Sequence, residues 1–95
     1  MFSIVITYTA PLAEIDRHLQ AHGAWLDSNY ESGHFLASGR QEPRSGGMVL
    51  ATATSRAEID RIVARDPFHI HELAEHRVIE WIPSTMVDPL KAVLT

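Results

Sequence analysis

Cysteine is absent from this chain of 95 residues, which excludes disulfide bonds, thiolate metal ligands, iron–sulfur clusters and a cysteine nucleophile. Basic residues are also few: eight lysines and arginines stand against twelve aspartates and glutamates, a formal net charge of −4. Nucleic-acid binding usually depends on a basic surface, so we expect no nucleic-acid partner. The longest apolar runs are about four to six residues, far below the roughly 18 that span a bilayer, and we expect no membrane segment.

The residues that are present have the composition of an ordinary globular domain, with 45% hydrophobic and 21% charged residues. The first residues, from Met1 to Val5, show neither the positive start nor the small-residue cleavage site of a signal peptide. We therefore expect a cytoplasmic protein. The length allows one domain, residues 1–95, and its C-terminal segment 84–95 is predicted to be a docking tail.

Local patterns predict the order β-α-β-β-α-β. Aromatic and β-branched residues indicate strands, and Ser55 three residues before Glu58 forms a capping box that opens the second helix. The predicted strands are 2–8, 34–38, 48–54 and 77–82, and the predicted helices are 12–32 and 55–65, followed by a short helical or irregular segment at 68–74. Two β-α-β halves predict a ferredoxin-like α+β fold, with a four-stranded antiparallel sheet and both helices on one face.

Consecutive apolar residues in the predicted strands indicate that both faces of the sheet are apolar. Ile4, Val5 and Ile6 form one such run, whereas a sheet with one face in water would alternate apolar and polar residues. The helices can cover only one face. We predict that a second copy of the chain covers the other face in a symmetric homodimer. The alternative is that the tail 84–95 folds back over it.

The first predicted helix carries a histidine on its apolar side. Spacings of four, three and four residues separate Ile15, Leu19, His22 and Leu26, which places His22 toward the core. Imidazole titrates near neutrality and is a natural proton carrier. The structural alternative is a buried histidine whose nitrogens bond only to backbone groups.

Asp66 precedes Pro67 at the turn that ends the second predicted helix, where backbone amides can fix its carboxylate. A carboxylate beside a histidine selects the tautomer, orients the ring and stabilises the imidazolium. The alternative is a simple turn or helix cap, and the sequence alone does not place Asp66 beside His22.

Three segments together carry a family resemblance. They are Ala21-His22 with the Gly-His-Phe-Leu-Ala-Ser-Gly stretch at 33–39, the pair Gly46-Gly47, and the Arg-Asp-Pro-Phe turn at 65–68. In this order they resemble the YCII-related (YciI-like) protein family over nearly the whole chain. The resemblance implies a ferredoxin-like fold, a dimeric α+β barrel and an active site centred on a histidine and an aspartate. Those positions are His22 and Asp66 here, with Ser38 lining the same pocket.

The chain departs from the family pattern after Ser38, since Arg40 stands where many relatives have proline. In that alignment Arg40 and Arg44 flank the mouth of the pocket. Their guanidinium groups could bind a carboxylate or a phenolate of the substrate. The alternative is that both are solvated loop residues.

Six histidines raise the possibility of a metal site. His69 and His71 would share one face of a strand but lie about 200° apart on a helix. His76 and nearby glutamates could add ligands, yet no closed set with zinc-site spacing appears, and neither a glycine-rich nucleotide motif nor a Walker motif occurs. We therefore expect no metal and no cofactor. Haem bound through His22 stays open as a less favoured alternative.

These observations predict a small enzyme in which His22 is the general acid or base and Asp66 orients it, in a pocket between the sheet and the first helix. The resemblance implies elimination, isomerisation or dehydrohalogenation of a small organic acid or phenolic molecule. The alternative is a dimeric protein that binds a small molecule without chemistry or serves as an accessory subunit. A protein–protein scaffold is a third, weaker candidate.

Overall fold

The computed structural model describes residues 1–94, and four strands and five helices follow one another along them; Thr95, the last residue of the predicted domain and tail, lies outside the described residues. The strands are β1 (Phe2–Tyr8), β2 (Phe35–Arg40), β3 (Gly46–Ala51) and β4 (Ala74–Glu80). The helices are α1 (Leu12–Arg17), α2 (Leu19–Glu31), α3 (Arg56–Ala64), α4 (Pro67–Ile70) and α5 (Asp88–Leu94).

The four strands form one antiparallel sheet in the order β2-β3-β1-β4. β1 is central and pairs with both β3 and β4 along its length. This order, with the helices inserted between β1 and β2 and between β3 and β4, is the predicted ferredoxin-like α+β fold. That prediction is confirmed.

One face of the sheet carries the hydrophobic core. Phe2, Ile4 and Ile6 of β1 are buried, and the alternation along a strand places them on the same face. Helices α1 to α4 each contribute at least one buried residue against this face. The remaining core residues are Ile15, Trp25, Phe35, Val49, Ala51, Ile59, Val63, Phe68, Leu73 and Ala74.

The opposite face of the sheet, called the open face below, is partly exposed and mixes apolar side chains with polar ones, among them Glu75 and Arg77. Ser3 is the residue of β1 that pairs with Leu50 and with Ile79, so these positions share a face that points away from the core. Trp81 lies over the same face, because its Nε1 donates a hydrogen bond to the Ser3 hydroxyl at 2.9 Å. The apolar residues of the open face are Val5, Met48, Leu50, Ile79 and Trp81.

The first predicted helix is in fact two helices. His18 has φ −109° and ψ 5°, which are outside helical values. The helix is therefore interrupted at His18, and a second helix begins at Leu19. Leu19 lies on the same side of α2 as His22 and Leu26, where all three line a cleft against the sheet, but at 42% exposed it is not part of the core. The buried residue of α2 is Trp25, whose Nε1 donates a hydrogen bond to the Ile62 carbonyl at 2.9 Å.

Strand β4 begins three residues earlier than predicted. Ala74 pairs with Tyr8 and His76 pairs with Ile6, so the strand includes the residues from Ala74 to His76 that precede the predicted start at Arg77. Because Ala74, His76 and Val78 alternate along the strand, they share the face that carries the core. This places the His76 side chain inside the molecule.

Candidate active site

Asp66 is fully buried, the only charged residue in that state among residues 1–94. It is the N-cap of α4, with Pro67 as the first helical residue, and its Oδ1 accepts a hydrogen bond from the Phe68 backbone N–H at 3.0 Å. Aspartate is a favoured N-cap, and proline suits the first helical position because it has no N–H to satisfy. The Asp-Pro-Phe sequence therefore builds the turn that directs this carboxylate inward.

Two histidines complete the surroundings of Asp66. His22 Nδ1 lies 2.7 Å from Oδ1, and His76 Nε2 lies 2.7 Å from Oδ2. Helix α2, helix α4 and strand β4 thus bring one acceptor and its donors to a single point. An ionised carboxylate can only accept, so both imidazoles present N–H groups to it.

The protonation state of Asp66 follows from two opposing effects. Burial raises its pKa, because it disfavours the charged carboxylate. The hydrogen bonds from His22, His76 and the Phe68 N–H outweigh burial, and the pKa of Asp66 lies below its ordinary value. Asp66 is therefore negatively charged at neutral pH.

His22 is held in one orientation. Its ring stacks on Phe68 with centroids 4.0 Å apart and planes at 7°, and its side chain is 13% exposed. Because Nδ1–H is donated to Asp66, the neutral ring keeps its lone pair on Nε2. Nε2 has no hydrogen-bond partner within residues 1–94. Nε2 is therefore the nitrogen of His22 that is free to accept a proton, since Nδ1 is hydrogen-bonded to Asp66.

A cleft of about 320 Å³ lies beside His22, between α2 and the sheet. Its walls are mainly aliphatic, with Tyr8, Ser38 and Arg40 as polar members besides His22. The volume is at the small end of the range for small-molecule sites. The lining residues are Ile6, Tyr8, Leu19, His22, Leu26, Ser38, Gly39, Arg40, Gly47, Met48 and Val49.

The predicted substrate-binding residues have different positions. Ser38 and Arg40 both line the cleft. The Ser38 hydroxyl is 2.7 Å from the Tyr30 hydroxyl, and the Arg40 guanidinium is mostly exposed with its Nε 3.2 Å from Glu42. Arg44 is not among the residues that line the cleft, and its guanidinium is 2.5 Å from the Asp16 carboxylate.

His76 is the site residue that sequence analysis did not find, since it was considered only as a metal ligand. The alternation of Ala74, His76 and Val78 was the available signal, because it is typical of one buried strand face. The predicted strand began at Arg77, and so it left out Ala74 and His76, which share the buried face with Val78.

A second histidine–carboxylate pair lies outside this cleft. His34 Nε2 is 2.6 Å from Glu58 Oε1, and its Nδ1 is 2.6 Å from the Ser32 hydroxyl. Hydrogen bonds from Thr54 and His34 lower the pKa of Glu58. Both side chains are about a quarter to a third exposed, so water and salt screen this pair far more than the buried one. It offers a natural control for experiments on His22.

Within the part of the chain described, no three His, Cys, Asp or Glu side chains are grouped to bind a metal ion. His69 contacts His76 edge to face, with ring centroids 5.6 Å apart, and His71 contacts His18. Among residues 1–94, no helix combines the length and apolar character needed to cross a membrane.

Comparison with known proteins gives a family match and a structural neighbour. The model of the YCII-related domain matches residues 1–82. A similar solved structure is 5-chloro-2-hydroxyhydroquinone dehydrochlorinase from Burkholderia phenoliruptrix AC1100, in complex with 2,5-dihydroxybenzoquinone. The TM-score is 0.68 at 21% identity, covering 86% of this chain and 94% of that one, a likeness that shows the shared fold. No curated protein matches the sequence.

Proposed function

The chain belongs to the YCII-related domain family, and from this premise we propose that it is a small-molecule enzyme in which His22 transfers a proton and Asp66 orients it. The observation that carries the proposal is the 2.7 Å hydrogen bond between His22 Nδ1 and Asp66 Oδ1, beside a cleft that His22 lines. Positioned proton transfer of this kind contributes about 10²–10⁴-fold to a rate.

The two residues have distinct roles. Nε2 of His22 accepts a proton from the substrate or returns one to it. The charge of Asp66 stabilises the imidazolium as it forms, and the hydrogen bond keeps the ring in the tautomer that leaves Nε2 basic. Stacking on Phe68 restricts rotation of the ring, so the base does not have to be ordered at the moment of reaction.

We propose a small phenolic molecule or organic acid as the substrate. The cleft is about 320 Å³, the aliphatic walls suit a ring, and Arg40 can bind a phenolate or carboxylate at the rim. The structural neighbour is a dehydrochlorinase of a chlorinated hydroxyhydroquinone. In such an elimination the base takes a proton while chloride leaves with the bonding electrons, so HCl is lost overall and no cofactor is consumed.

Ser38 and Arg40 are the proposed substrate contacts, since both line the cleft. Arg44 also stays a prediction as a substrate contact, and that role requires it to exchange its present partner Asp16 for the ligand. The cytoplasmic location stays a prediction as well.

A non-catalytic binding protein is the alternative. It predicts a His22 side chain out of hydrogen-bond reach of Asp66, because simple binding needs no activated base. The 2.7 Å distance favours the enzyme over this alternative.

We also propose that the active form is a homodimer, joined through the open face. Five apolar side chains from three strands and the segment after β4 lie together there, and helix α5 of the C-terminal tail has no buried residue of its own. Burying such a face against an identical one is the simplest way to remove it from water.

The experiment begins with thermal-shift screening of the protein against small phenols, lactones and organic acids, with 5-chloro-2-hydroxyhydroquinone as the first probe. We expect chloride release from this probe, followed with a chloride electrode, to fall at least about 100-fold in His22→Asn. Asparagine can still donate to Asp66 but has no basic nitrogen. His34→Asn is the matched control and is expected to keep the wild-type rate.

The proposal is wrong if His22→Asn turns over a ligand from the screen at the wild-type rate. It is also contradicted if chloride release falls as much in His34→Asn as in His22→Asn.

A further inference from the structure

Among residues 1–94, only His76 donates a hydrogen bond to Oδ2 of Asp66. Its side chain is 2% exposed, and its Nε2 is 2.7 Å from Oδ2. The other two donors, His22 Nδ1 and the Phe68 N–H, both bind Oδ1. Removal of the His76 imidazole would therefore leave one oxygen of a fully buried carboxylate with no donor among residues 1–94.

The other nitrogen of His76 indicates its tautomer. Nδ1 is buried and has no hydrogen-bond partner in the described residues. A proton there would be a buried donor without an acceptor, which costs about 1–3 kcal/mol, whereas a bare lone pair is cheaper. His76 is thus a neutral imidazole with its proton on Nε2, a fixed donor rather than a second base.

This donor determines whether Asp66 can act as a pure acceptor. The titratable groups against Asp66 are His22 from α2 and His76 from β4, with His69 from α4 packed on the His76 ring. Without the His76 hydrogen bond, the pKa of Asp66 rises and its protonated form becomes more accessible, because burial still disfavours the charged carboxylate and one of the donors that oppose burial is gone. A protonated carboxyl group donates to Nδ1 of His22, and the histidine proton then belongs on Nε2, where no basic lone pair would face the cleft.

We propose that His76 is a positioning residue: by donating Nε2–H to Oδ2, it keeps Asp66 an acceptor and keeps the proton of His22 on Nδ1. The inference rests on the proposed function of His22 and Asp66, and it extends that pair to a chain of His22, Asp66 and His76. The third residue never touches the substrate and acts through the carboxylate.

Two substitutions at this position separate the hydrogen bond from the packing. His76→Leu keeps an apolar side chain of similar bulk and removes the donor. His76→Gln keeps an N–H near the position of imidazole Nε2 and removes the ring. His34→Gln changes the exposed histidine–carboxylate pair and is the control for substitution of a paired histidine elsewhere.

The test measures the His22 tautomer directly, by long-range ¹⁵N–¹H correlation spectra of the imidazole nitrogens near pH 7.5. We expect His22 to carry its proton on Nδ1 in the wild type, in His76→Gln and in His34→Gln. In His76→Leu we expect the form with the proton on Nε2 to increase several-fold. A carboxyl ¹³C titration should place the pKa of Asp66 higher in His76→Leu than in the wild type.

Turnover is the second measurement. With the substrate from the screen above, we expect kcat to fall about tenfold in His76→Leu, with little change in KM, and to return toward the wild-type value in His76→Gln. A folded His76→Leu protein with the wild-type tautomer and the wild-type kcat would overturn the inference.

If His76→Leu does not fold, His76→Asn replaces it, since its shorter amide is expected to fall short of Oδ2. Identical His22 spectra in His76→Asn and His76→Gln would then overturn the inference. Wild-type turnover in His22→Asn would instead overturn the catalytic role of His22, and the tautomer measurement, which needs no substrate, would still judge His76.

Discussion

Asp66 connects three separate parts of the chain through one functional group. A buried carboxylate without partners would cost several kcal/mol, and three donors offset that cost here. Two of the three donors are the imidazoles of His22 and His76, and a helix cap does not need hydrogen bonds from them. The Phe68 N–H alone would satisfy the cap, so the two imidazoles are additional donors that stabilise the buried carboxylate.

At the scale of this residue we predict a pH-dependent loss of stability in Asp66→Asn. The lowered pKa of Asp66 means that its ionised form stabilises the folded state above the ordinary carboxyl pKa of about 3.9, and that this contribution disappears as the pH falls through the lower folded-state value. We expect Asp66→Asn to cost about 2 kcal/mol at pH 7 and progressively less below pH 4. Thermal unfolding from pH 7 to pH 3 measures the difference.

The control for this prediction is Asp60→Asn. Asp60 is more than half exposed and pairs with Arg56 on the surface, so its loss is expected to cost about 0–1 kcal/mol. A difference between the wild type and Asp66→Asn that stays constant down to pH 3 would show that the Asp66 charge does not stabilise the fold.

At the scale of elements, the start of β3 requires glycine. A Cβ atom on Gly46 would overlap the backbone carbonyl oxygen of Ile6 in the neighbouring strand. Any other residue would force β3 away from β1. Since Gly47, Met48 and Val49 follow directly and line the cleft, the close approach at Gly46 also positions one wall of the candidate site.

We therefore predict that Gly46→Ala destabilises the protein by about 2–3 kcal/mol, the cost of forcing extra volume into a packed site. Gly23 is the comparison, because it lies inside α2 and no atom lies within 4 Å of the place that an alanine methyl group would take. Gly23→Ala is expected to stabilise the protein by up to about 1 kcal/mol through helix propensity. Urea denaturation of both variants tests this, and equal effects of the two would refute it.

The start of α3 supports a further prediction at this scale. Ser55 is the N-cap, and its hydroxyl accepts a hydrogen bond from the Glu58 N–H at 3.1 Å. We expect Ser55→Ala to cost about 1 kcal/mol in urea denaturation, because one N–H of the first turn loses its partner. Ser28→Ala changes an exposed serine inside α2 and is expected to cost nothing. Loss of stability in Ser28→Ala alone would contradict the assigned cap.

At the scale of the whole molecule, the apolar residues of the open face have no covering element among residues 1–94 that would bury them. Met48, Ile79 and Trp81 are each about 40% exposed and lie together on the same side of the sheet. A sheet face in water is normally mostly polar, whereas this face carries five apolar side chains beside its polar ones. A second copy that pairs with this face would remove the apolar side chains from water and set two candidate sites in one particle.

We predict that Ile79→Glu converts a dimer into a monomer, because each interface would then bury two unpaired carboxylates. Ile70→Glu is the matched control. Ile70 is more exposed than Ile79 and belongs to α4 on the opposite side of the sheet, so no effect on assembly is expected. Light scattering coupled to size-exclusion chromatography gives both masses. A wild-type monomer, or a dimer that survives Ile79→Glu, would contradict this interface.

The local sequence determined the elements of this protein and identified two of the residues at its candidate site. Strand β1, the capped start of α3, the Asp-Pro turn and the apolar side of α2 all follow from neighbours within one or two turns of chain. His22 and Asp66 could be singled out for this reason, since a helix periodicity and a turn motif are local signals.

Only the tertiary structure decided which of these groups meet. The His22–Asp66 and Asp66–His76 hydrogen bonds depend on how α2, α4 and β4 pack on one core, and no local pattern encodes that packing. The break at His18 and the early start of β4 depended likewise on pairing and burial against distant residues. Local propensity is a weak preference that long-range contacts override. Here those contacts brought His22 and His76 to the carboxylate of Asp66, where each forms a hydrogen bond.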